Sequence, residues 1–139
     1  MIFKSGNSTK PKIERKVLLK KRAKDGILSY CKMKHPAEGI LILRGKSKKG
    51  IINVDELVIP PFSFSDQTFA GFPQNLLPFD LSYVGSAHSH PSGSASPSIT
   101  DLHHFFGLVS IIVKSPYEKD EDVFAWDSNG NRLEIIFEQ

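Results

Sequence analysis

The stretch Leu81-Ser82-Tyr83-Val84-Gly85-Ser86-Ala87-His88-Ser89-His90-Pro91, continuing to Pro97-Ser98-Ile99-Thr100-Asp101-Leu102, decides how the chain is read. Leu81 to Ala87 reads as a strand running into His88. After a loop of small residues, Pro97 precedes a helix whose apolar positions are Leu102, Phe105, Phe106 and Leu108, with Gly107 as its end. Side chains alternate along an extended chain, so His88 and His90 point to one side and both imidazoles can face one metal ion. Asp101, on the first turn of the helix, can return to the same ion. Two imidazoles and one carboxylate form the open three-ligand shell typical of catalytic zinc, with the fourth position left for water. The one cysteine, Cys31, lies outside the cluster, which argues against a closed structural site.

Outward from this unit, apolar patterning supplies the rest of the fold. Upstream, Ala23, Ile27, Leu28 and Cys31 recur at helical spacing, and Pro36 closes that helix. Lys16 to Lys20 reads as a short strand or a helix start. Gly39 to Arg44 and Ile51 to Ile59 read as a hairpin joined by a charged, glycine-containing turn over residues 45–50. Downstream, Val109 to Val113, Asp122 to Asp127 and Arg132 to Phe137 read as strands, and Ser128-Asn129-Gly130-Asn131 is a hairpin turn. The fold class is therefore α/β, a mixed β-sheet flanked by at least two helices. Pro60 to Phe79 has little periodicity and carries Phe62, Phe64, Phe69, Phe72 and Phe79. It reads either as a functional wall or as a loop pinned by its phenylalanines.

With 139 residues, 40% apolar and 24% charged, the chain has the composition of one globular domain. The expected organisation is a flexible basic tail, residues 1–12, and a single domain, residues 13–139. The apolar runs are too short for a membrane span, and the N-terminus lacks a signal-peptide core, so a cytoplasmic, membrane-free protein is expected. The net charge of +3 conceals a polarity: residues 1–54 hold 15 Lys/Arg and 3 Asp/Glu, residues 55–139 hold 3 and 12. A basic arm can bind nucleic acid, but no aromatics are interleaved among these lysines for base stacking, so nucleic acid is disfavoured.

A zinc hydrolase also needs a carboxylate to move protons. Glu38, in His35-Pro36-Ala37-Glu38-Gly39, opens an apolar strand and is favoured over Glu56. Ser98 can donate to the oxyanion formed when water attacks a carbonyl, or it can simply cap the helix. This set resembles the JAMM (MPN+) zinc metallopeptidases. Their pattern is an upstream Glu, His-x-His, seven residues, Ser, two residues and Asp, and Glu38, His88, His90, Ser98 and Asp101 fill each position. The resemblance extends from about Val17 to Glu138. It implies a cytidine-deaminase-like core and one zinc held by His88, His90 and Asp101. It further implies Glu38 as acid–base catalyst and Ser98 as oxyanion support. The substrate it implies is a peptide or isopeptide bond following the C-terminal tail of a ubiquitin-like modifier, in a deubiquitinase-like reaction on modifier conjugates and in a proteasome-linked pathway. Ser86-Ala87 stands where eukaryotic members often carry a large aromatic, and the chain stops after its last strand. Both features are more similar to the small stand-alone archaeal and bacterial members.

Two rivals accompany this reading. One keeps the chemistry but processes the C-terminus of a sulfur-carrier protein; the other is a non-catalytic MPN scaffold. His103 and His104 are expected to be surface or supporting groups, and Cys31 a buried apolar residue. In the Phe-rich segment, Phe69 and Phe72 are expected to be partly exposed and to contact the modifier, with Phe62 and Phe79 anchoring its ends.

Overall fold

The computed structural model describes residues 14–139, so the expected tail, residues 1–12, lies outside the described part. In chain order the elements are β1 (Lys16–Leu19), α1 (Lys21–Lys34), β2 (Ile40–Lys48), β3 (Ile51–Val58), β4 (Phe64–Ser65) and β5 (Ala70–Gly71). There follow β6 (Tyr83–His90), α2 (Ile99–His103), β7 (Val109–Lys114), β8 (Val123–Trp126) and β9 (Arg132–Phe137). The main sheet runs β1-β3-β2-β6-β7-β8-β9. It is mixed: β6 and β7 are parallel, β1 is parallel to both β3 and β9, and the other neighbours are antiparallel.

The core forms where the sheet curls over one stripe of α1. Ala23, Ile27, Leu28 and Cys31 are buried on that stripe and pack with Leu41 and Leu43 of β2, Ala87 of β6, Val109, Ile111 and Val113 of β7, and Ala125 of β8. Each large aliphatic side chain buried here contributes about 1.5–3 kcal/mol relative to exposure. Lys32 and Lys34 in the last turn suit the negative end of the helix dipole. Gly26, a weak helix former, is accounted for by packing: a methyl there would lie 2.8 Å from Leu57 Cδ1 of β3. The other face of the same strands carries Ile40, Ile42, Ser86, His88, His90, Ser110 and Ile112, all buried.

Three expectations need correction. β2 continues to Lys48, and the turn is only Lys49-Gly50, both with positive φ, as a two-residue hairpin requires. Lys46 to Lys48 looked like a turn because a solvated strand and a loop share the same polarity. α2 ends at His103, well before Gly107; Phe106 packs against Phe72 and Tyr83, at ring distances of 5.3 and 6.1 Å. Phe62 and Phe79 do not anchor their segment, being 77% and 90% exposed. The anchors lie in its middle: Phe69 stacks edge-on against His104 at 5.1 Å, and Phe72 packs on Phe106.

The charge polarity folds back on itself. Lys16 pairs with Glu134 (3.4 Å), Lys20 with Glu138 (3.7 Å), Lys24 with Asp120 (2.7 Å) and Arg44 with Asp80 (2.7 Å). Each pair joins the basic first part to the acidic second part. Such surface pairs contribute at most about 1 kcal/mol each. They nevertheless give part of the basic arm an intramolecular counterpart. No helix among the described residues is long and apolar enough to cross a membrane.

Two glycines permit close backbone approach where the ladders shift register. A Cβ on Gly45 would collide with the Asn53 carbonyl oxygen, and one on Gly85 with the Val109 carbonyl oxygen. Gly45 follows Arg44, where β2 is out of step with both neighbours. Gly85→Ala must therefore spread the parallel β6–β7 pair. It is expected to lower the unfolding free energy by about 1–3 kcal/mol, read by urea denaturation. Gly93→Ala, in open space with φ +82°, should show only the backbone cost of about 1–2 kcal/mol.

Candidate metal centre

His88 and His90 lie two apart on β6 and face away from α1, as the alternation requires. Their Nε2 atoms are 3.1 Å apart. Because β6 and β7 are parallel, the chain must cross over between them, and residues 91–108 supply the crossover with α2 inside it. That crossover returns Asp101 to the histidines: Oδ2 lies 3.2 Å from His90 Nε2 and Oδ1 lies 3.4 Å from His88 Nε2. Asp101 is fixed by a capping box in which its amide donates to Ser98 Oγ (2.9 Å) and its Oδ2 accepts from the Ser98 amide (2.8 Å).

Glu38 comes from the other side. It precedes β2 and is 4% exposed, and its Oε1 is buried without a hydrogen-bond partner. One donor atom from each of Glu38, His88 and His90 lies within 4.8 Å of the others. Its amide donates to the Asp66 carbonyl (2.7 Å), and the next amide, of Gly39, donates to Ser89 Oγ (2.8 Å). Asp66 belongs to the Phe-rich segment, where its side chain accepts from the Thr68 and Phe69 amides and the Thr68 hydroxyl. That segment thus reaches the site through its backbone.

The electrostatics follow from burial. Burial pushes the Glu38 carboxyl up to about 7, with Asp101 and Asp66 adding to the rise and His90 opposing it. Burial alone would raise Asp101 too, but its contacts with His88 and His90 outweigh that and hold it well below the usual carboxylate range. For His90, burial acts downward, yet the contact with Asp101 and the Ser94 carbonyl raise it.

The donor set fits a divalent cation. The Ser94 carbonyl can only accept, so His90 Nδ1, 2.8 Å from it, carries the proton. In neutral His90 the Nε2 is then a lone pair aimed at a carboxylate and at a second imidazole nitrogen. With His88 presenting a lone pair as well, a cation between them would satisfy all of these acceptors at once. The two Nε2 atoms lie 3.1 Å apart, and one or the other Asp101 carboxylate oxygen lies 3.2–3.4 Å from each, so the three side chains would be within reach of one cation.

The remaining candidates fall into place around this centre. Ser98 is exposed at the start of α2. Glu56 is exposed on β3 and lines a separate groove with Arg22, Arg44 and Asp55. His103 and His104 are exposed, and His104 holds the Phe-rich segment through Phe69 and through its carbonyl, which accepts from Gln74 Nε2 (3.2 Å). Phe69 is partly exposed. Phe72, also partly exposed, lines a cavity of about 20 Å³ with His88, Asp101, Ser86 and Ser110. Cys31 is buried, and burial pushes its thiol up to about 12. Sequence reasoning passed over Ser89, whose position between the histidines places it on the core face. It also passed over the Ser94 and Asp66 carbonyls, which no side chain announces.

Residues 20–129 match the family Prok-JAB, the prokaryotic homologs of the JAB domain. A curated relative from Haloferax volcanii, described as a probable metalloprotease, is 40% identical over 104 residues, covering 69% of this chain and 63% of the relative. The match thus spans less than two thirds of that relative's length. A solved structure described as a JAMM metalloprotease-like zinc site in the proteasome and signalosome superposes with TM-score 0.60 at 28% identity, over 88% of this chain and 98% of that one. A JAB1/MPN domain protein from Archaeoglobus fulgidus gives 0.59 at 27%, over 85% and 97%. A protein from Desulfitobacterium hafniense gives 0.59 at 18%, over 88% and 93%, a likeness of fold alone. The mixed sheet, the two helices and the match over most of the chain agree: this chain belongs to the Prok-JAB family of JAB-domain proteins.

Proposed function

We propose that the protein is a zinc-dependent metallopeptidase that cleaves the peptide or isopeptide bond after the C-terminal tail of a ubiquitin-like modifier. The observation that carries this reading is the convergence of His88, His90 and Asp101 within 3.1–3.4 Å of one another, beside a buried Glu38 oxygen that has no partner. The likeness to a probable metalloprotease and to a metalloprotease-like zinc site supports the choice of metal and of reaction.

In this reading His88, His90 and Asp101 hold one zinc per chain. When bound, zinc supplies Lewis acidity, lowering the pKa of a water and polarising a carbonyl. Glu38 Oε1 takes a proton from the attacking water as its oxygen bonds to the carbonyl carbon. As the C–N bond breaks, Glu38 delivers that proton to the leaving amine. Ser98 Oγ accepts from the Asp101 amide but keeps its own hydrogen, which it donates to the oxyanion. The Ser94 carbonyl keeps His90 in one tautomer. A glycine-rich tail offers little side chain to grip, so backbone pairing along a strand edge and apolar contacts outside the site provide the affinity. The Phe-rich segment is the proposed wall, with Phe69 and Phe72 presenting their exposed edges to the modifier.

Purified protein should carry about one zinc per chain, and His88→Ala, His90→Ala or Asp101→Ala should remove most of it by elemental analysis. Glu38→Gln should keep the zinc and lose about 100- to 10,000-fold in turnover of a modifier conjugate. Full zinc retention in all three ligand variants would overturn the ligand set.

Ser98→Ala separates two roles in one molecule. Loss of the cap costs about 1 kcal/mol of stability in urea, whereas loss of an oxyanion donor also slows turnover by about 100- to 1,000-fold. Both changes are expected. A stability loss alone would leave Ser98 only a cap.

Phe69→Ala and Phe72→Ala are expected to raise KM for a protein conjugate several-fold while sparing zinc content and hydrolysis of a minimal peptide. Unchanged KM in both would reduce the segment to packing.

A further inference from the structure

Ser89 stands between the two histidines but faces the opposite way. It is 0% exposed, on the α1 side of β6. Its hydroxyl accepts from the Gly39 amide at 2.8 Å, and its own amide donates to the Gly39 carbonyl at 3.1 Å. The histidine strand and the entrance to β2 therefore meet at this one residue.

The residue this arrangement controls is Glu38. β2 begins at Ile40, so no strand ladder holds Glu38 itself. Its conformation is set by the two peptide units flanking its Cα. The first is tied through the Glu38 amide to the Asp66 carbonyl at 2.7 Å. The second is tied through the Gly39 amide to Ser89 Oγ. With both peptide planes held, φ and ψ of Glu38 are fixed, which sets the direction in which its side chain leaves the backbone, while Oε1 has no hydrogen bond of its own. An alanine would fill the Ser89 position without needing any partner. The distinctive consequence of the hydroxyl is therefore the orientation of the peptide after Glu38.

We propose that Ser89 is a positioning residue for Glu38, acting through the Gly39 amide to hold the proton-transfer carboxylate in place. The proposal rests on the functional reading above. A misplacement of about 1 Å at a reacting group can cost about 100-fold in rate, whereas support lost from a metal-binding histidine costs about 10- to 100-fold in metal affinity. The two effects distinguish a clamp on Glu38 from a clamp on the histidines.

The test compares wild type, Ser89→Ala, Ser89→Thr, Glu38→Gln and the Ser89→Ala/Glu38→Gln double variant. Three quantities are read: turnover of a modifier conjugate, zinc affinity by chelator competition, and hydrogen exchange at the Gly39 amide by NMR. Ser89→Ala is expected to lower kcat about 10- to 100-fold with KM and zinc affinity unchanged, and to speed Gly39 exchange by at least about tenfold. Ser89→Thr, which keeps the hydroxyl, should restore most of both. In the Glu38→Gln background Ser89→Ala should cost nothing further, because the two act as one unit. Multiplying losses in the double variant, a parallel fall in zinc affinity, or wild-type kcat in Ser89→Ala each overturns the proposal. If Ser89→Ala does not fold, Ser89→Cys takes its place in the same comparison. If the wild type cleaves no conjugate, the functional reading fails by itself, and Gly39 exchange still decides the clamp: unchanged exchange overturns it, faster exchange with intact zinc affinity supports it.

Discussion

Burial of the α1 stripe beneath the curled sheet is the constraint on which the rest depends. Ile27, Leu28 and Cys31 engage one face of β2, β6 and β7, and a strand has only two faces. Once Leu41, Ala87 and Ile111 are committed to the helix, Ile40, His88 and Ile112 must point the other way, and their register sets them side by side. A slip of one residue in β6 would send both histidines into the core and bring Ser89 out. The face that carries the two histidines is thus specified by apolar packing on its reverse side.

The same logic explains how so many ionisable groups are tolerated in a small space. Glu38, His88 and His90 are all buried, and isolated buried charges are expensive. Asp101 answers the two histidines, the capping box answers Asp101, and Ser94 answers the second nitrogen of His90. Glu38 Oε1 is left over. Among the described residues it shares that condition only with Trp126 Nε1 on β8, and of the two it is the one that lies beside the histidines.

Much of this was legible in the sequence. The helical spacing of Ala23, Ile27, Leu28 and Cys31 and the alternation through His88 and His90 read correctly, because each is a periodicity imposed by burial; Asp101 stands beside the histidines through the crossover instead. The extent of β2 did not, since Lys46 to Lys48 lie on an exposed strand where burial imposes no pattern. Phe105 and Phe106 imitated a helix face, although Phe106 meets Phe72 and Tyr83. The exposure of Phe62 and Phe79 was equally hidden, because hydrophobicity states a preference for burial and cannot say which of five phenylalanines obtains it. The carbonyls of Ser94 and Asp66 carry no sequence signal at all.

β1 pairs with β3 on one side and, from Lys16↔Glu134 to Leu19↔Phe137, with β9 on the other. This has a consequence for synthesis. The ribosome delivers β1 more than a hundred residues before β9, so one edge of β1 has no native neighbour until β9 has emerged. Contacts of such large sequence separation form slowly, and an open strand edge in a nascent chain invites pairing with other chains. Lys16 and Lys20, flanking that edge, place positive charge beside it throughout translation. They repel a second copy during that interval and receive Glu134 and Glu138 when β9 arrives.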